Sequence, residues 1–176
     1  MAQIQQVDFS DMDGIADVLR HAFSDEASEI IRLASGLLSM SSNSGTECWG
    51  LWYDGVLRGF VGLSPAELAQ DIDLSMCLLA PFAVYPTLQG RGYGRQLVER
   101  AIASLQSQGV DALLVYGDPI LYQRFGFETA GAELFVPPYP LEMSFGWQVN
   151  MLSDKALPGN PIAFRCVTAL DDPCYW

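Results

Sequence analysis

The chain has 176 residues, half of them hydrophobic and 17% charged, a globular composition that reads as a single domain over residues 1–176 with length enough to bury a core. Its formal net charge of −12 argues against a nucleic-acid partner, which would call for a basic face. The four cysteines, Cys48, Cys77, Cys166 and Cys174, form no Cys-x-x-Cys pair and only His21 could add an imidazole, which argues against a structural zinc or other metal site.

The opening MAQIQQVDFSDMD has no basic start and no apolar signal core. Ile4 to Val7 reads as a strand. Ser10, three residues before Asp13, resembles a capping box, and Ile15, Ala16, Val18, Leu19, Ala22 and Phe23 follow at helical spacing. A second helix pattern runs from about Glu26 to Met40, and SSNSGT (Ser41–Thr46) reads as a loop. ECWGLWYDGVLRGFVGLSP then predicts a hairpin with Asp54-Gly55 at its turn. Pro65 to Asp73 reads as a connection.

Leu74 to Tyr85 is an apolar strand too continuous to be one-sided, so it belongs in the middle of the sheet. Pro81 cannot donate to a ladder, which predicts a bulge or a parting of strands there. The longest uncharged run, Leu74 to Gly90, is broken by Pro81 and Pro86 and falls short of a membrane span. Leu97, Val98, Ala101, Ile102 and Leu105 then mark a helix ending near Gly109. Ala112 to Tyr116 is the next strand, Pro119 to Phe125 a short helix, and Met143 to Met151 a strand-like tail. The fold class is therefore mixed α/β, a sheet with helices packed on it. With reduced thiols as the default for a chain of this size, the expected location is the cytoplasm.

The chemistry concentrates in VYPTLQGRGYGRQL, Val84 to Leu97. Gly90, Gly92 and Gly94 permit tight turns and let backbone amides approach a ligand. The helix that follows offers unpaired N–H groups and a partial positive charge at its start, an anion site suited to a pyrophosphate. Arg91 and Arg95 could add charge-assisted contacts. A Walker A loop would end in Gly-Lys-Ser/Thr, and the dinucleotide fingerprint would place its third glycine where Arg95 stands.

LLAPFAVYPTLQGRGYGRQLV resembles the signature of the GNAT N-acetyltransferases, Gln-x-x-Gly-x-Gly/Ala, with Gln89, Gly92 and Gly94 in those positions. LYQRFGF is similar to the second family motif, Tyr-x-x-x-Gly-Phe, through Tyr122, Gly126 and Phe127. The wider wording from about Leu74 to Pro140 looks like the YhbS-like branch. The resemblance implies a GNAT fold with a splayed central strand. It also implies acetyl-CoA as co-substrate and a primary amine as acceptor, a small molecule or a peptide. Phe82, Ala83 and Val84 would pair with the pantetheine arm. Gln89, Gly90, Arg91, Gly92, Tyr93, Gly94 and Arg95 would hold the pyrophosphate. Tyr122 would protonate the departing thiolate; a tyrosine hydroxyl, with an ordinary pKa of about 10, stays protonated at neutral pH and can donate.

A general base is harder to find. The strand position where some family members carry a glutamate is Leu78, and Glu67, Asp71 and Asp73 lie before the strand as solvated carboxylates or candidate bases. Asp118 is a helix cap or a cofactor contact. His21 reads as a helix-face imidazole and Cys77 as a buried strand thiol. The missing strand carboxylate keeps open a second reading, a CoA-binding regulatory module with weak turnover, and a third is a structural partner domain. The acidic balance serves solubility or draws cationic acceptors. The strand-like tail offers an edge for homodimer pairing.

Overall fold

The computed structural model describes residues 1–40 and 44–176; of the predicted loop Ser41–Thr46, residues 41–43 lie outside the described residues. Among the described residues, eight strands and four α-helices form a mixed α/β fold: β1 Ala2–Gln6, α1 Met12–Phe23, α2 Ala27–Met40, β2 Glu47–Tyr53, β3 Val56–Leu68, β4 Met76–Val84, α3 Tyr93–Ser107, β5 Ala112–Tyr116, α4 Pro119–Tyr122, β6 Phe135–Val136, β7 Trp147–Met151 and β8 Ile162–Arg165. They form two compact units, Met1–Ser64 with Ala80–Ala101, and Pro65–Leu79 with Ile102–Trp176.

In the first unit the strand order is β1-β2-β3-β4. The hairpin β2–β3 turns at Asp54 and Gly55, both at positive φ, a hairpin-turn geometry that Asp-Gly accommodates. A bulge leaves Arg58 without a counterpart, since Leu51 faces Gly59 while Trp52 faces Leu57. A one-residue slip of this kind moves side chains to the other face. Beyond it, a Cβ at Gly59 would meet Leu97 of α3 at 3.3 Å, whereas one at Gly62 would meet Leu37 of α2 at 2.9 Å. The two helices therefore cover opposite faces of β3. Ile15, Val18 and Leu19 of α1, Leu33 and Leu37 of α2, and Leu97, Val98 and Ala101 of α3 are buried on their apolar stripes.

In the second unit β4, β5 and β7 are neighbours in that order. β4 and β5 run parallel and β5 and β7 antiparallel. The chain end returns as β8, which pairs with β6 and with Glu67–Leu68 of β3. Trp147 stacks on Phe164 at 6.0 Å, and Trp176 meets both rings at 5.9 and 6.1 Å. The Nε1 groups of Trp147 and Trp176 donate to the carbonyls of Phe135 and Leu170. Both indoles thereby satisfy their polar handle, with Trp147 buried and Trp176 half-buried.

Several elements differ from the sequence expectation; β1 runs Ala2–Gln6 rather than Ile4 to Val7. The capping box is built by Asp8 and Asp11, not by Ser10 and Asp13. The Asp8 carboxylate accepts from Ser10 N at 2.8 Å and Asp11 returns to Asp8 N at 3.1 Å, so a 3₁₀ turn precedes α1. β3 continues through Pro65 to Leu68 because β8 supplies a late partner for it. Met143 to Gly146 is not strand, since a 3₁₀ turn over Ser144–Gly146 comes before β7. β8 was not expected at all: its residues Ile162–Arg165 find partners far away in sequence, and no local pattern announces them.

Candidate functional site

The glycine loop joins β4 to α3 within the first unit. A 3₁₀ turn over Pro86–Leu88 leaves β4, and Gln89 follows in extended conformation. The Gln89 side-chain amide donates to the Val84 carbonyl at 2.8 Å. This bond ties the loop back to the strand end, a role for Gln89 that the motif alone does not specify. Gly90 and Gly92 sit at φ +73° and +86°, and a Cβ at either would meet nothing within 4 Å. The glycines are needed for backbone conformation, and the space beside them is open.

The helical ladder of α3 begins with Gln96 N donating to Gly92 O at 3.1 Å. The amides of Tyr93, Gly94 and Arg95 therefore precede the ladder and carry the positive end of the helix dipole. Arg91 and Arg95 are exposed beside them, and Arg95 makes a long contact, 3.8 Å, with Glu99. Tyr93 sets its ring edge-on to Tyr53 at 5.4 Å, which anchors the loop to the β2–β3 hairpin. At Gly94 a Cβ would lie 3.2 Å from Phe82 and 3.4 Å from Val84. The first turn of α3 thus rests on the two outward side chains of the β4 segment Phe82–Val84. The loop residues and the strand residues named from sequence are brought together.

β4 enters its parallel register with β5 only through Met76, Cys77 and Leu78, opposite Ala112, Leu113 and Leu114. The peptide bond Ala80–Pro81 follows directly. Beyond the register, β4 backbone groups on that edge have no β5 counterpart among the described residues. This is the feature a ligand with amide groups could use, as an extended chain added to a strand edge.

Tyr122 lies in the second unit, on the single turn α4. Asp118 caps that turn, accepting from Ile120 N at 2.9 Å, so capping is its role here. The Tyr122 ring is buried, edge-on to Phe127 at 5.7 Å and to Phe125 at 6.4 Å. Burial pushes its hydroxyl pKa above the ordinary tyrosine value. The neutral, proton-donating form is therefore favoured even more than in water.

The other candidates sort by their contacts. Leu78 and Cys77 are buried. Asp73 pairs with Lys155 at 3.0 Å, and Glu67 and Asp71 are exposed. His21 donates from Nδ1 to Asp17 O at 2.8 Å and sets its ring at a tilt against Tyr85, with centroids 4.6 Å apart, while Arg58 lies over the same ring at 4.2 Å. Among the described residues no group of three or more His, Cys, Asp or Glu is placed to hold a metal ion. Sequence reasoning passed over Gln148, which is completely buried in β7. Its signal was an amide set between the apolar residues Trp147 and Val149 of the strand.

Comparison with known proteins agrees with this geometry. Residues 3–130 match the acetyltransferase (GNAT) domain family. The uncharacterized N-acetyltransferase YhbS of Escherichia coli K12 is 40% identical over 106 residues, 60% of this chain and 62% of that protein. The aligned stretch thus spans less than two thirds of the relative's length. The crystal structure of Escherichia coli YhbS in complex with CoA superposes with a TM-score of 0.83 at 30% identity, over 97% of this chain and 92% of that one. A GNAT acetyltransferase from Brucella melitensis, in complex with acetyl-CoA, shares the fold at a TM-score of 0.73 and 21% identity, over 97% and 99% of the two chains. A glycine loop tied to its strand, a helix start resting on Phe82 and Val84, and a family match across residues 3–130 lead to one assignment: the chain belongs to the GNAT acetyltransferases.

Proposed function

We propose that the protein transfers an acetyl group from acetyl-CoA to a primary amine by direct attack, without a covalent enzyme intermediate. One observation carries the reading: the amides that open α3 and the edge of β4 beyond Leu78 adjoin a loop whose glycines leave space beside them. Phosphate oxygens suit the first and amide groups suit the second. In this reading Gly90, Arg91, Gly92, Tyr93, Gly94 and Arg95 hold the pyrophosphate through backbone N–H groups and the two guanidiniums. Gln89 holds the loop in shape. Phe82, Ala83 and Val84 offer backbone groups to the pantetheine arm. Bound acetyl-CoA supplies a thioester carbonyl and a thiolate leaving group, and Tyr122 supplies that thiolate with a proton. The acceptor is a small amine or a peptide N-terminus or lysine. We place the protein in the cytoplasm, where reduced thiols are the default for a chain of this size. No described helix is long and apolar enough to cross a membrane. A homodimer would need an edge other than β7 at Val149, which pairs with β5 on one side and with Glu128 on the other.

The buried Leu78, where a strand carboxylate could have served as base, favours a second reading: a CoA-binding regulatory module with little turnover. The same experiment separates the two. Acetyl-CoA at a hundredfold its Kd should stabilise the fold by about 2.7 kcal/mol, seen as a raised Tm. Absence of any shift at saturation ends both readings. Thiol release measured across a panel of amines then distinguishes them, since only the enzyme accelerates it with a particular amine.

A further inference from the structure

Gln148 is a buried polar residue that the chemistry above leaves unused. Its side chain is fully inaccessible. Its Nε2 donates to two backbone carbonyls, Gly117 O at 3.1 Å and Gly146 O at 3.2 Å. Its Oε1 is buried and finds no hydrogen-bond partner among the described residues. A flipped amide would aim the oxygen at those same carbonyls, so the orientation is fixed by the network. An unpaired buried acceptor is destabilising, and a leucine of similar shape would avoid the cost. What the position gains from glutamine is therefore the pair of donated bonds.

Those bonds converge on the turn that carries Tyr122. Gly117 N donates to Gly146 O at 2.9 Å, closing the second link between the two segments. A Cβ at Gly117 would lie 2.5 Å from Tyr122 Cε2 and 3.2 Å from Cδ2. The ring thus lies directly on the bare Gly117 backbone. Tyr122 N returns to Asp118 O at 3.1 Å. Displacing the Gly117 peptide displaces the surface on which the ring rests.

We propose that Gln148 is a positioning residue for the Tyr122 proton donor, fixing the Gly117 peptide on which that ring is seated. The proposal rests on the reading of Tyr122 as the acid. Positioning is worth testing because a displacement of about 1 Å can cost about a hundredfold in rate.

The test combines Gln148→Leu, Tyr122→Phe and the double variant in the full chain. Thiol release from acetyl-CoA is followed with the fastest amine of the panel above. The expected result is a fall in kcat of about tenfold or more for Gln148→Leu, with the KM for acetyl-CoA unchanged. The Tyr122→Phe background should lose almost nothing further, because both changes remove the same donor. Losses that multiply in the double variant would overturn the proposal. Independently of turnover, protein carrying ¹³C-labelled tyrosine should show the Tyr122 ring resonance, assigned by its absence in Tyr122→Phe, shifted in Gln148→Leu. An unmoved resonance in folded protein overturns the proposal too. If Gln148→Leu does not fold, Gln148→Met and Gln148→Glu, neither of which can donate to both carbonyls, are read in the same way. Full turnover in Tyr122→Phe rejects the acid role itself, and the ring resonance still decides whether Gln148 seats the ring.

Discussion

At Tyr122 the decisive quantity is protonation. Burial is what raises its pKa, so the group remains a donor at and beyond the pH where an exposed tyrosine would lose its proton, about 10. If Tyr122 is the proton donor proposed above, turnover should show no alkaline loss from this residue below that pH, and Tyr122→Phe should lower kcat by about 10²–10⁴ while sparing the KM for acetyl-CoA. A kinetic titration of both proteins checks this; a shared alkaline limb would have to belong to another group. Asp111 shows the opposite shift. Burial works to raise its pKa, yet the bonds it accepts from Ser75 N at 2.8 Å, Ser153 Oγ at 2.7 Å and Lys155 Nζ at 3.1 Å prevail and lower it. A carboxylate depressed in the folded state contributes stability above its unfolded pKa and loses it as pH falls through the folded value. Asp111→Asn should accordingly cost about 1–3 kcal/mol at neutral pH. Denaturant melts should find the gap between variant and parent narrowing only below about pH 4.

At the scale of elements, most of the frame was legible because local patterns and tertiary partners agree. The apolar stripes of α1 and α2, the Asp54-Gly55 turn and the run from Met76 to Val84 each state one structure. The loop was legible for a related reason: its glycines and arginines are adjacent in sequence, so motif and geometry coincide. What escaped depends on distant partners. β8 pairs with β6 and with the last two residues of β3, both far away in sequence, and Gln148 acquires meaning only through Gly117 and Gly146. The placement of Gln89 shows an intermediate case: its position was named, but its bond to Val84 O required coordinates. The loop itself carries a sharp prediction. Since a Cβ at Gly92 meets nothing, Gly92→Ala is penalised only by its φ of +86°. The substitution should destabilise the fold by about 1–2 kcal/mol. If the amides of the α3 start hold phosphate, it should also weaken acetyl-CoA binding measured by calorimetry. An unchanged Kd together with the expected loss of stability would separate the loop's shape from ligand capture.

Across the whole molecule the net charge of −12 acts on whatever approaches it. Such a field gathers cations and repels anions, most strongly where salt does not screen it. For the donor the field is unfavourable, since acetyl-CoA is an anion; if the loop holds its pyrophosphate, Arg91 and Arg95 supply a local correction there. For the acceptor the sign depends on its charge, which makes ionic strength a probe of substrate class. The screening length falls from about 30 Å at 0.01 M salt to about 8 Å at 0.15 M. If the protein acts on cationic amines, the KM for a dication such as a diamine should rise several-fold over that range. The KM for a zwitterionic amino acid should stay level, because it carries no net charge for the field to act on. Measuring both at saturating acetyl-CoA removes the donor's own salt response. Parallel behaviour of the two acceptors would mean that the acidic surface serves solubility alone, and that selection of the amine rests on contacts within the pocket.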